Sequence, residues 1–220
     1  SDGELLPIIG NGFGFAVDGS IGALAVKEQL YEAGGSWTGT RLEFFDLSDP
    51  LHPKKLSTYA DPQVSNYLGI AARNGHFYVY SIEYGTAQSP GNHAVFESLI
   101  VSANGTVTVD RKTFLPGGGG TNFDGPTLIG GRAYFYSNGK LTSIDLGLST
   151  FTPTTSNINL FQGSIGTSPA NILLDHDRIL IILLGLSDGG SKGNASLSAY
   201  SIVDPNAVDS NNASAPKEVL

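Results

Sequence analysis

The residues able to do chemistry are few, and they collect where loops are expected rather than in one motif. His93 opens an expected strand beside the loop from Tyr84 to Asn92, and Asp124 follows Asn122 and Phe123. An imidazole and a carboxylate are groups that transfer protons, so these two are the candidate catalytic residues. Asn11, Phe13, Trp37, Asn66, Tyr67, Tyr84, Asn122 and Phe123 are the candidate ligand-binding residues. Flat apolar rings with sparse amides are how a small-molecule or sugar pocket is built. Trp37 is the single tryptophan and lies in AGGSWTGT, a polar, glycine-rich setting unlike a core.

Other chemistries lack their residues. There is no cysteine, so thiolate chemistry and disulfides are excluded. The four histidines, at 52, 76, 93 and 176, do not share the spacing of a zinc site. Asp175-His176-Asp177 offers too few oxygens for calcium and reads as a solvated hairpin. Gly10-Asn11-Gly12-Phe13-Gly14 has neither the helix nor the acidic residue of a dinucleotide site, and Gly117 to Gly120 lacks the following lysine of a phosphate loop. No Gly-x-Ser-x-Gly elbow occurs. No metal and no cofactor is expected.

The elements that must position these residues are strands. Arg41 to Leu47, Lys54 to Tyr59, Tyr67 to Ala72 and His76 to Ser81 are separated by Asp49-Pro50-Leu51-His52-Pro53, Asp61-Pro62 and Arg73-Asn74-Gly75. Proline cannot donate to a ladder, and Asn-Gly takes the positive φ of a tight hairpin. The same plan recurs about every 45 to 55 residues. It predicts four four-stranded blades of an all-β propeller, at 12–60, 67–115, 125–162 and 170–220. The outer strands of the last two fall near Ser156 to Phe161 and Lys217 to Leu220. A β-sandwich is the alternative. Two features favour the propeller: the first strand of each unit is small and apolar (GFGFAV, YLGIAA, GPTLI, ANILL), and Asp46, Asp145 and Asp204 recur at or near the end of a third strand. Their repeated position predicts a structural role, accepting hydrogen bonds from turn backbone.

GTRLEFFDLSDPLHPKKLSTY resembles the LVIVD-type and related YVTN-like propeller repeats of extracellular proteins, closely in the first unit and partly in AYSIVDPNAV. The resemblance implies the fold and an extracellular place, and it implies no common activity.

The formal charge of −8, with 12 Lys and Arg, argues against a nucleic-acid partner. No apolar run approaches the 18 residues of a membrane span. The absence of methionine, the start at Ser1 and the sequons at Asn104, Asn194 and Asn212 predict a processed, secreted glycoprotein. The apolar end at Val219-Leu220 predicts that further blades or a second chain complete the ring. Two functions stay open. One is a cofactor-free enzyme, a cyclase or isomerase, holding a small organic molecule in a central funnel; by analogy of fold, this includes pericyclic catalysis of the fungal natural-product kind. The other is a recognition module for glycan or protein. Unequal loops in the four units favour the first.

Overall fold

The computed structural model describes residues 14–27, 40–86, 90–117, 124–129, 131–137, 140–155, 168–175, 178–185, 194–201 and 217–218. Every regular element among them is a β-strand. β1 (Phe15–Asp18), β2 (Ile21–Lys27), β3 (Thr40–Asp46) and β4 (Lys54–Tyr59) form the first sheet, and β5 (Val64–Arg73), β6 (His76–Glu83), β7 (His93–Val101) and β8 (Val107–Phe114) the second. The third sheet holds β9 (Asp124–Ile129), β10 (Arg132–Ser137), β11 (Lys140–Asp145) and β12 (Thr154–Thr155). The fourth holds β13 (Ser168–Asp175), β14 (Arg178–Gly185), β15 (Asn194–Ser201) and β16 (Lys217–Glu218). In each sheet the strands neighbour one another in chain order.

The chain divides into two compact units, Ser1–Lys112 and Thr113–Leu220. In the first, β5 lies against β1; in the second, β13 lies against β9. Antiparallel four-stranded meanders with first strand beside first strand are blades of a β-propeller.

Turn chemistry delimits the strands as expected at Lys54–Tyr59 and Arg132–Ser137. β5 starts at Val64, three residues before its expected start at Tyr67, because the turn at Asp61-Pro62 closes at once: Val64 N–H donates to Asp61 O at 3.0 Å. The outer strand of the third sheet is found at Thr154–Thr155, while 156–161 lies outside the described residues. Asp46 Oδ1 accepts the Ser48 N–H at 2.8 Å, and Asp145 Oδ1 accepts that of Gly147 at 2.9 Å. These are the expected Asx turns; Asp204 lies outside the described residues.

The core of the first unit is the seam between its two sheets. Ala23, Ala25, Leu42 and Phe44 of the first sheet meet Val64, Tyr67, Phe77, Val79, Leu99 and Val101 of the second. Register explains the selection, since Ala23 pairs with Phe44 and Phe77 pairs with Leu99, and paired residues share a face. Phe44 meets Phe77 edge to face, with centroids 5.3 Å apart. Close approach needs glycine twice. A Cβ on Gly14 would stand 2.6 Å from the Ile70 nitrogen, and one on Gly105, at φ +84°, would stand 2.8 Å from the Leu56 oxygen.

Gly105→Ala is therefore expected to cost about 1–3 kcal/mol. Gly19→Ala, at φ +58° but with nothing within 4 Å, meets only the left-handed backbone penalty of about 1 kcal/mol. Urea unfolding midpoints of the two variants check this, and equal losses would remove the contact between the Gly105 turn and β4.

Candidate functional site

The seam is not wholly apolar. Glu97, at the middle of β7, is 1% exposed. Alternation along the strand sends it to the seam face beside Val79, its cross-strand partner. Its Oε2 accepts a 3.2 Å hydrogen bond from the Tyr59 hydroxyl, which comes from β4 on the other sheet. Its Oε1 is buried without a protein partner. Burial pushes the Glu97 carboxyl up to about 7, against the lowering effects of Lys112 and the Tyr59 hydrogen bond. The phenols of Tyr59 and Tyr67 are pushed up in turn, first by burial.

Lys112, on β8, is the ammonium of this group. Its Nζ is bound to Glu83 Oε1 and lies 3.4 Å from Asp61 Oδ2. Burial pulls the Lys112 ammonium down, and the bond to Glu83 outweighs this and raises it. The Tyr67 hydroxyl accepts the Asp61 N–H at 3.2 Å, so Tyr67 is tied to the connection between β4 and β5. Two carboxyl groups thus share one lysine, whose charge also lowers Glu97. A carboxyl near neutrality with a bare oxygen and a phenol beside it is able to accept and return a proton at pH 7.

At one end of the first unit the β4–β5 and β6–β7 connections meet. The Tyr84 N–H donates to Gln63 O at 2.8 Å and ties the two connections together. Gly85 lies too close to the Gly91 backbone for a side chain to fit, and Gly91 has φ +94°. Tyr84 is 56% exposed at this end, which leaves its ring free to stack. His93 pairs with Glu83 at the start of β7 and is half-buried. Asn66 pairs with Ile82. Its Oδ1 is buried without a protein partner.

The expected residues therefore separate. Tyr84, His93 and Asn66 come to one end of the first unit. Tyr67 does not line it: its pairing with Ser81 puts the ring on the seam face, where it is fully buried against Tyr59 at 6.5 Å. Asp124 and Asn194 stand at the first positions of β9 and β15. Asn104 sits in the exposed turn between β7 and β8, its Oδ1 accepting the Thr106 N–H at 3.1 Å. Asn11, Phe13, Trp37, Asn122, Phe123 and Asn212 lie outside the described residues.

Sequence reasoning missed Glu97, Tyr59 and Lys112. The available signal was a lone glutamate in HAVFESLIV, an apolar run too continuous for one face to be wet. It also missed a serine, histidine and aspartate at the other end of the second sheet. His76 Nδ1 lies 3.0 Å from Ser98 Oγ and 3.7 Å from Asp110 Oδ2. Both partners address the same ring nitrogen, so no relay from aspartate through histidine to serine is formed. Glu43 is a third buried carboxyl; burial pushes it up, and hydrogen bonds from Lys55 and Arg41 outweigh this and hold it below its ordinary value. Among the described residues, no group of three or more potential ligands is arranged to hold a metal ion. Among them there is no helix long and apolar enough to cross a membrane.

No family model matches the chain, and no curated protein matches it. Similar solved structures include one described as "Bacteroides ovatus Xyloglucan PUL GH43B", 16% identical, covering 88% of this chain and 38% of that one with a TM-score of 0.45. Another is a xylan beta-1,4-xylosidase from Bacillus halodurans C-125, 12% identical, covering 86% and 40% with a TM-score of 0.44. The chain spans about two fifths of the length of each.

Removing the shared cation tests the cluster. Lys112→Met leaves the Glu83 carboxylate, 6% exposed, without its ammonium, and at pH 7 it is expected to lose about 1–3 kcal/mol in urea unfolding. Lys112→Arg is expected to keep most of that stability.

Proposed function

We propose that this chain is a propeller of the LVIVD/YVTN-like repeat kind that binds a small hydroxylated organic molecule at the end of its sheets bearing Asn66, Tyr84 and His93. The observation that carries this reading is the Asn66 carboxamide oxygen, buried and without a protein partner, on the strand end that also bears the exposed Tyr84. A buried acceptor left bare costs free energy that a ligand hydroxyl restores. The exposed ring supplies flat apolar area to the same molecule.

Catalysis without a cofactor is the favoured form of this function. Glu97 and the Tyr59 hydroxyl are hydrogen-bonded in the seam of the same unit, and burial pushes the carboxyl up to about 7. Proton transfer of this kind serves an isomerase or cyclase. Glycan recognition without turnover is the second reading, and the 56% exposure of Tyr84 favours it, since sugar rings stack on such surfaces. Xyloglucan and xylan appear in the descriptions of the two solved structures, and they make natural first probes.

Calorimetric titration with xylo-oligosaccharides, and a turnover screen with small lactones and polyenes, test the two readings. Binding that falls at least about tenfold in both Tyr84→Ala and Asn66→Ala supports the site. Undiminished binding in both variants removes it, and turnover of any bound compound selects the enzyme. Secretion is part of the same proposal. The exposed Asn104 turn supports it, and production through a eukaryotic secretory pathway is expected to add glycan mass that Asn104→Gln reduces.

A further inference from the structure

We propose that Glu97 and Tyr59 form a proton-operated joint between the first and second sheets: a proton on Glu97 closes the seam, and its loss to solvent opens the seam to water. The inference concerns the packing of the first unit and does not depend on the ligand reading.

Four observations lead to it. Glu97 is at the middle of a strand and buried in the seam, while its one hydrogen-bond donor belongs to the opposite sheet. That bond is long, at 3.2 Å, and the second carboxyl oxygen has no donor. The cation in the group is already taken, because Lys112 is bound to Glu83 and faces Asp61. Finally, Ser57 Oγ and Ser81 Oγ are also buried without protein partners. Pairing of Ser57 with Phe44 and of Ser81 with Tyr67 puts both on the seam face. Water entering the seam would satisfy all of these atoms at once.

The groups facing Glu97 are Tyr59 from β4, Asp61 from the β4–β5 connection, Tyr67 from β5, Glu83 from β6 and Lys112 from β8. Two are carboxylates and one is an ammonium, so an ionised Glu97 adds a second uncompensated negative charge to a buried group. Neutral Glu97 removes it. The direction of the linkage follows. A carboxyl raised to about 7 in the closed seam holds its proton more tightly there than in an open one. Closure is therefore favoured fully below the ordinary carboxyl value, and that advantage is lost as pH rises through about 7.

Hydrogen exchange of the full chain, corrected for the intrinsic pH dependence of amide chemistry, tests this. Amides of β4 and β7 are expected to lose at least about tenfold in protection between pH 5.5 and 8.5, while those of β10 hold theirs. Glu97→Gln, which is neutral at every pH, is expected to keep β4 and β7 protected throughout. Tyr59→Phe removes the donor that supports the ionised form, so the midpoint of the change moves to higher pH. It serves as the deciding variant where Glu97→Gln does not fold. Protection in the wild type that is independent of pH, or pH dependence that persists in Glu97→Gln, overturns the proposal. So does a Tyr59→Phe midpoint that stays in place or falls.

Discussion

Everything described in the first unit depends on two sheets bringing their apolar faces within contact distance. Phe44 and Phe77 are the central pair, fully buried and edge to face. Burying a phenylalanine stabilises a fold by about 1.5–3 kcal/mol, and it does so only if the strands around it permit the approach. Gly14 against Ile70, and Gly105 against Leu56, provide that permission at two places along the seam. Small residues at these positions are therefore a packing requirement. The alanines at 23 and 25, both buried, have the same origin.

Polar groups also enter this apolar seam. Glu97 and Tyr59 cross it, while Glu83, Asp61, Lys112 and Tyr67 tie it to the connection between the sheets. Such a group adds little net stability, since charge desolvation offsets the attraction of its partners. Its effect is to make the packing of the sheets responsive to the state of a single carboxyl. The candidate residues at the loop end stand on the same strands: Glu83 pairs with His93, and Tyr84 follows Glu83 directly.

Strand boundaries were legible wherever a breaker stood beside them. Lys54–Tyr59 lies between Pro53 and the Asp61-Pro62 turn, and in the sequence Arg132–Ser137 is flanked by Gly130-Gly131 and Asn138-Gly139, so breaker residues marked both ends. The start of β5 was not legible, because Val64-Ser65-Asn66 carries little strand signature and its pairing with Glu83 and Ile82 is nonlocal. The same nonlocal register, pairing Tyr67 with Ser81, puts Tyr67 in the seam. The Asx turns of Asp46 and Asp145 were legible because side chain and target lie two residues apart. The Glu97 group was not, since Tyr59 lies 38 residues away and the bond exists only once two sheets have stacked.

The central claim is that the first two sheets share one packed core, and a double-mutant cycle on Phe44→Leu and Phe77→Leu tests it most directly. Leucine keeps much of the buried volume and removes the ring-to-ring geometry, so the cycle isolates the contact across the seam. The account predicts a coupling of about 0.5–1.5 kcal/mol in urea unfolding. Additivity of the two losses within experimental error would contradict it.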